Sequence, residues 1–78
     1  MDAIITNCNK SGVVKIIKNA CGKTYKDIGS VLGISTAYVN NKMHRNSWSV
    51  EDIGKVCKEF GAELVIRGEN EFEVRVGE

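Results

Sequence analysis

The feature that most constrains this chain is the regular placement of glycines behind short stretches of helical periodicity. Gly22, Gly33 and Gly61 each follow such a stretch, and glycine readily takes the left-handed conformation that ends a helix. No proline occurs in the chain, so capping residues and glycines are the boundary signals that remain. The pattern predicts four short helices within residues 9–61.

Each predicted helix also begins at a residue that can cap it. Ser11 is expected to cap the first helix, which then runs to about Cys21. Thr24 is expected to cap the second, and Asp27 forms a capping-box-like pair with it, with a charge that suits a helix N-terminus. Gly29 lies inside this second helix, where glycine is unfavourable, so we expect a close crossing with another helix there.

The third and fourth predicted helices begin at Ser35 and Ser49, each preceded by an apolar residue. Such a residue can pack against the fourth residue of the helix and fix the angle at which the chain enters it. The two expected staple pairs are Ile34 with Val39 and Trp48 with Ile53. The apolar positions at helical spacing, which we expect to form the core, are Val13, Ile16, Ile17, Ala20, Ile28, Val31, Leu32, Val39, Met43, Ile53, Val56, Cys57 and Phe60.

Behind the fourth helix, the apolar residues alternate instead of recurring at helical spacing. Residues 64–67 and 72–76 have the period of strands, and residues 68–70 are turn formers. The pattern predicts a C-terminal β-hairpin over residues 62–77. An isolated hairpin is marginally stable in water, so it must pack on the helices or pair with another strand, which residues 3–6 could supply.

Size and composition exclude several classes of protein. A chain of 78 residues supports a single domain, 1–78, and is too short for most enzyme folds. No apolar run approaches the roughly 18 residues of a membrane span, and the first residues lack the pattern of a signal peptide, so we expect a cytoplasmic protein. The widely spaced Cys8, Cys21 and Cys57 argue against a disulfide framework or a metal site, and we expect them to be buried as small hydrophobes.

The small net charge of +1 conceals an uneven distribution. Residues 1–48 carry seven Lys and Arg against two Asp, whereas residues 49–78 carry four against eight acidic residues. This asymmetry indicates that the N-terminal part attracts a polyanion while the C-terminal part faces away from it. The single histidine, His44, has no second titratable partner nearby, so we expect no catalytic residues, no cofactor and no small-molecule substrate.

One side of the third predicted helix is polar but nearly uncharged. Asparagine is a poor helix former, yet its amide can pair with N6 and N7 of adenine in the major groove. No acidic residue occurs between Ile28 and Trp48, where a carboxylate would repel phosphate. At about 100° per residue, the side chains that share this side are Thr36, Ala37, Asn40, Asn41 and His44.

Residues 24–61 resemble the helix-turn-helix domain of the phage lambda repressor and Cro-type regulators, the XRE family. The resemblance is carried by Thr-Tyr-Lys-Asp-Ile-Gly at 24–29 and by Leu-Gly-Ile-Ser-Thr-Ala-Tyr-Val at 32–39. Gly29 stands where the family usually has alanine, and Tyr25 stands where it commonly has glutamine. The resemblance implies a mainly α fold of four to five short helices of the lambda-repressor type, followed here by the hairpin.

The same resemblance implies a sequence-specific regulator of transcription, of the phage-like repressor type. Its third helix would enter the major groove of double-stranded DNA and its second would cross the backbone, as a homodimer on a pseudo-palindromic operator. The implied base contacts are Thr36, Ala37, Asn40 and Asn41. The implied backbone contacts are Tyr25, Ser35, Tyr38, Lys42, His44 and Arg45, together with the N–H groups that begin the second helix.

Several alternatives remain open from the sequence. The chain could instead be a protein-interaction module or an antitoxin-like protein that binds a partner through its hairpin. Asn40 and Asn41 could be a fraying helix end, and Tyr38 could cover the edge of the core instead of binding phosphate. Trp48 could contact a groove or a phosphate instead of forming its staple. The hairpin is the first candidate for the dimer surface, and the fourth helix with Phe60 is the second.

Overall fold

Four helices separate an N-terminal strand from a C-terminal hairpin, and the strand and hairpin form one antiparallel sheet. A computed structural model describes residues 2–76. The hairpin was predicted to reach residue 77, which lies outside the described residues. The elements are β1 (Asp2–Asn7), α1 (Lys10–Ala20), α2 (Tyr25–Leu32), α3 (Thr36–Arg45), α4 (Val50–Phe60), β2 (Ala62–Ile66) and β3 (Glu71–Val76). Among the described residues, no helix has the length and apolar character that crossing a membrane requires.

Three of the four predicted N-caps are confirmed. The hydroxyl of Thr24 accepts a hydrogen bond from the Asp27 N–H, and the Asp27 carboxylate accepts one from the Thr24 N–H, which completes the capping box. Ser35 caps α3 and Ser49 caps α4, and the side-chain oxygen of each accepts a hydrogen bond from a backbone N–H of the first turn. These caps satisfy backbone donors that helix starts otherwise leave without partners.

The predicted cap of α1 is wrong by two residues. Asn9 is the cap, and its Oδ1 accepts the Gly12 N–H at 2.8 Å. Ser11 lies within the first turn and is buried, and its hydroxyl donates to the Met43 carbonyl at 2.9 Å. Asparagine and serine are both strong caps, so tertiary contacts with α3 decided between them.

The helices end where the glycines predicted. Gly22, Gly33 and Gly61 all adopt positive φ angles, with Gly33 at 71° and Gly61 at 74° directly behind α2 and α4. Helix α3 ends differently, on Asn46 at φ 52°. Asparagine tolerates this left-handed conformation better than other residues with a side chain, which allows a sharp stop without glycine.

The sheet covers the helices on one side. Strand β3 is central and pairs with β1 and β2, so the sheet order is β1-β3-β2. Ile4 and Leu64 both lie opposite Val74 in this register. The suggested pairing of residues 3–6 with the hairpin is therefore confirmed, and it explains why the hairpin is not isolated.

Most of the predicted core is buried. Phe72 and Val74 bring the central strand into it. Ala20 is the one predicted core residue that is exposed, because it lies at the last turn of α1. Of the three free cysteines Cys57 is buried, whereas Cys8 and Cys21 are only half-buried. The buried apolar side chains are Val13, Val14, Ile17, Ile28, Val39, Trp48, Ile53, Val56, Cys57, Phe72 and Val74.

Gly29 permits a close approach, but not the helix crossing that the sequence suggested. A Cβ atom at this position would lie 2.6 Å from the backbone oxygen of Ile34, in the turn between α2 and α3. The nearest atom of α3 itself, on the Val39 side chain, would be 3.5 Å away, which is ordinary contact. Glycine is therefore required by the turn that leads into α3.

Candidate nucleic-acid interface

The side chains predicted to contact bases lie exposed on one face of α3. The helix continues beyond this group to Arg45, and Asn46 caps its end. Asn40 and Asn41 therefore lie in the regular helix, and the alternative of a fraying end is wrong. The four exposed residues are Thr36, Ala37, Asn40 and Asn41.

The opposite face of α3 is held by apolar contacts. Val39 is fully buried, and Met43 is half-buried against the core, as their spacing predicted. Ile34 packs on the same core at the start of the helix. An apolar face that is buried in this way fixes the rotation of the helix about its axis and leaves the amide-bearing face in solvent.

Two hydrogen bonds fasten the C-terminal end of α3 to α1. The Ser11 N–H donates to Asn46 Oδ1 at 3.0 Å, and the Ser11 hydroxyl donates to the Met43 carbonyl. Both link residues that are more than 30 positions apart in sequence. Asn46 was not among the residues predicted from the sequence, although an asparagine behind a basic last turn is a recognisable helix stop.

The residues predicted to contact the DNA backbone differ in their exposure to solvent. Tyr38 is 56% exposed, and Ser35, His44 and Arg45 are also exposed. Tyr25 is half-buried, and the Lys18 ammonium lies 4.8 Å from the centre of its ring. The exposure of Tyr38 favours a contact with a ligand over a role as cover for the core.

Lys42 is the predicted phosphate contact that the structure places least favourably. Its Nζ lies 3.2 Å from Asp52 Oδ2 and donates to the Ser47 carbonyl at 3.1 Å. The Trp48 ring centre is 5.4 Å away, and the lysine side chain is only 16% exposed. The ammonium is thus engaged within the chain, where it ties the last turn of α3 to the first turn of α4.

The electrostatics of Asp52 agree with this contact. Partial burial acts to raise the pKa of Asp52, but the hydrogen bond and charge of Lys42, with hydrogen bonds from Ser49, outweigh it and lower the pKa below its ordinary value of 3.8. The carboxylate therefore stays ionised at neutral pH. At neutral pH Lys42 therefore has a charged partner, which a phosphate would have to displace.

Trp48 is buried rather than presented to a ligand. Its side chain is packed into the core with Ile53, which agrees with the predicted staple and excludes the alternative of a groove contact. Its Nε1 is buried and, within residues 2–76, has no hydrogen-bond partner. An indole N–H that is buried without a partner costs free energy.

The start of α2 is a weaker anion site than the sequence predicted. Its capping box already engages the Thr24 and Asp27 N–H groups. Hydrogen bonds from the backbone and side chain of Thr24, followed by the nearby lysine charges, lower the pKa of Asp27 below its ordinary value. A charged carboxylate therefore stands in the turn where a phosphate was expected, and it reduces the attraction for one.

Two further observations concern metal ligands and the buried thiol of Cys57 in residues 2–76. Within this part of the chain, no group of three His, Cys, Asp or Glu side chains is placed to hold a metal ion. Burial, followed by the proximity of Cys21, raises the pKa of the Cys57 thiol to about 11. A thiol with so high a pKa is a poor nucleophile at neutral pH.

Comparison with known proteins gives no further guide. The chain matches no family model, no curated protein and no solved structure.

Proposed function

We propose that this chain is a sequence-specific DNA-binding regulator of transcription, of the lambda-repressor-like helix-turn-helix type, that acts as a homodimer. The observation that carries the proposal is the exposed, uncharged amide face of α3, opposite a face that is buried in the core. A rigid helix with such a face suits the major groove, which is wide enough to admit an α-helix.

The base contacts follow from the chemistry of the exposed face. The side-chain amides of Asn40 and Asn41 can each pair with an adenine, because the amide N–H donates to N7 and the amide oxygen accepts from the N6 amino group. The methyl group of Ala37 suits the thymine methyl, and the Thr36 hydroxyl can bond either kind of base edge. These contacts would specify sequence.

The backbone contacts would supply affinity and register. Arg45 and His44 extend from the last turn of α3, and Tyr38 and Ser35 offer hydroxyl groups near its start. Lys42 acts differently in this proposal, because its ammonium holds α3 against α4. It positions the recognition helix and contributes to the field around it without touching a phosphate.

The size of the molecule supports action as a pair. A single helix reads only a few base pairs, so useful specificity needs two half-sites about one helical turn, or 34 Å, apart. The longest principal extents of the chain are 30 and 27 Å. Two copies side by side would therefore bring equivalent helices near successive major grooves on one side of the duplex.

A protein-interaction module is the second candidate, favoured by the hairpin. Strand β2 lies at one edge of the sheet, where an extended segment of another protein could add a strand. Binding of that kind depends on backbone hydrogen bonds, so it would respond weakly to salt.

Selection of bound sequences from a random duplex pool tests the proposal. We expect a motif with two-fold symmetry and half-sites about 10 base pairs apart. On the recovered duplex, a dimer with 6–10 phosphate contacts should lose about 10³–10⁵ in affinity between 50 and 200 mM salt. Recovery of no motif, with binding to a protein partner that is insensitive to salt, would favour the second candidate.

A further inference from the structure

Within residues 2–76, no strand pairs with the outer side of β2. Strand β3 is paired on both sides, so within the hairpin only β2 has a free edge. The Arg67 N–H donates to the Glu71 carbonyl, and these two residues come next after Ile66 and Phe72, the last pair in the register of β2 and β3. Because residues of an antiparallel ladder alternate in direction, Glu63 and Val65 also point their backbone groups at β3.

The same alternation directs the backbone groups of Ala62, Leu64 and Ile66 outward, away from β3. Natural sheets guard such an edge with proline, with lysine or with a bulge. Residues 62–66 contain neither proline nor lysine, and Ile66 is 50% exposed. The sequence of β2 therefore does not block the addition of another strand.

We propose that the partner at this edge is a second copy of the chain, whose β2 pairs antiparallel with the first about a two-fold axis at Val65. In this register Leu64 lies opposite the partner's Ile66. The backbone N–H of each residue donates to the backbone carbonyl of the other. Glu63 lies opposite the partner's Arg67, and the symmetry repeats this pair on the other side of the axis. The two sheets become one sheet of six strands.

Charge selects this register over its neighbours. The backbone groups that point away from β3 can bond to those of a second copy when the two-fold axis passes through Leu64, Val65 or Ile66. With the axis at Leu64, Glu63 would lie opposite the partner's Val65. With the axis at Ile66, Arg67 would lie opposite the partner's Val65. Only the axis at Val65 pairs each charge with its opposite, and opposite charges directly across two strands stabilise their pairing.

The network that is already present on the sheet favours the same pairs. Within one chain, Arg67 Nη1 lies 2.9 Å from Glu73, and Arg75 Nη1 lies 3.5 Å from Glu63. Glu63 and Arg67 are both partly exposed, so each retains access to a further partner. Pairing across the axis would join the two networks into one in which the signs alternate.

The proposed function requires two copies of the chain, and pairing at β2 would join them. In that respect alone the inference rests on the proposed function. Strand β2 packs mainly on β3 and α4, whereas α3 packs mainly on α2 and α1 and reaches α4 through Lys42 and Asp52. Pairing at β2 therefore leaves the amide face of α3 in solvent. Self-association is measured without DNA, so it can fail while DNA binding succeeds.

The first test is a cross-link that only one register allows. At the axis, Val65 faces its own copy in a pair without hydrogen bonds, where side chains approach closely. Under oxidised glutathione, we expect Val65→Cys to give a disulfide-linked dimer through that position, mapped by peptide mass. The Glu63→Cys control, which faces Arg67 of the partner subunit, should give far less. Equal yields from both variants would overturn the register.

The second test exchanges charges and measures dimerisation by sedimentation equilibrium. Glu63→Arg alone, or Arg67→Glu alone, places like charges opposite each other twice and should raise the dimer Kd about tenfold. A mixture of the two variants restores opposite charges at both pairs and should restore dimerisation. Failure of the mixture to associate more tightly than either variant, with circular dichroism showing both folded, would overturn the proposal.

A further variant tests the pairing if the Arg67→Glu chain does not fold because its new carboxylate lies beside Glu73. This variant changes the backbone of β2 instead of its charges. Ile66→Pro removes an outward-directed N–H that takes no part in the ladder with β3, so the fold should tolerate it. We expect this variant to be monomeric. The pairing would be overturned if the wild-type chain were monomeric at all concentrations, or if the Ile66→Pro variant still dimerised. A monomer that still selected a DNA motif would leave the proposed function in place.

Discussion

The outer face of the sheet and the exposed face of α3 are both polar, but they satisfy their polar groups in opposite ways. On the sheet, Glu73 is only 6% exposed and is paired with Arg67 and Arg75. On α3, within the described residues, no hydrogen bond or ion pair engages the side chains of Asn40 and Asn41. On the sheet, the side-chain donors and acceptors already bond to one another, so few of them can bond to base edges. On α3, the amide donors and acceptors are free to do so.

The charge state of the sheet surface reinforces the contrast. The hydrogen bond from Arg75 lowers the pKa of Glu73 below its ordinary value, against the effect of burial and with further help from Arg67. Glu73 correspondingly raises the pKa of Arg75. These charges hold each other in place, so we expect changes to them to alter stability or self-association while changes on α3 alter DNA binding.

The largest effect should come from the glycine on which the placement of α3 depends. Gly29→Ala would put a Cβ atom 2.6 Å from the Ile34 backbone oxygen, and backbone cannot move aside cheaply. We expect a loss of about 3 kcal/mol in the free energy of unfolding, the upper part of the range for overpacking, measured by urea denaturation.

Gly54→Ala is the matched control for this change. Gly54 also lies inside a helix, α4, but no atom beyond its own neighbourhood lies within 4 Å of the added Cβ. Alanine should therefore stabilise the fold by up to about 1 kcal/mol through helix propensity alone. Equal effects at the two positions would contradict the account of the turn between α2 and α3.

The next largest effect separates the two polar surfaces by function. Asn41→Ala should cost about 2 kcal/mol on the preferred duplex, roughly a thirtyfold loss, and little on random DNA, measured by fluorescence anisotropy. Glu71→Gln, a polar change of similar size on the sheet, should leave the affinity for both duplexes nearly unchanged. A uniform loss on all sequences for Asn41→Ala would show that Asn41 does not read a base.

Local signals in the sequence predicted most of the fold. The capping box at Thr24, the stop at Gly33 and the alternation that defines the hairpin each depend on residues close together in the chain, so they can be recognised without the structure. The exposed face of α3 followed from helical periodicity for the same reason. Periodicity fixes which side chains share a face, and the apolar face determines which one is buried.

Long-range contacts decided what the sequence could not. Ser11 is as good a cap as Asn9, but its bonds to Met43 and Asn46 draw it into the first turn of α1. Lys42 has the charge of a phosphate contact, and only the fold shows that Asp52 lies within reach of it. Residues that can play two local roles are assigned by their distant neighbours, and the site is uncertain from sequence at those positions.

A smaller effect tests the different roles of the two basic residues in α3. Arg45→Gln removes an exposed charge from each copy of the dimer, so the slope of log affinity against log salt should fall in magnitude by about 1.8, the value for two phosphate contacts. Lys42→Gln should leave this slope unchanged, because its ammonium is engaged by Asp52. A reduction of the same size for both variants would return Lys42 to the phosphate contacts.

The smallest effect concerns the ion pair that joins α3 to α4. Because the pKa of Asp52 is lowered in the folded state, its contribution to stability is present above its ordinary value of 3.8 and is lost as pH falls through the lower folded value. Asp52→Asn should therefore reduce the free energy of unfolding at pH 7 by about 0.5–1 kcal/mol, and the difference from wild type should vanish in acid.

Glu51→Gln provides the control for this ion pair. Glu51 lies in the same first turn of α4 and is exposed, so its removal costs only its interaction with the helix dipole. The excess loss for Asp52→Asn over Glu51→Gln measures the contact with Lys42. If thermal unfolding gave the same loss for both variants between pH 7 and pH 3, the contact would contribute nothing to holding α3 in place, and Lys42 would be free to leave Asp52 for a phosphate.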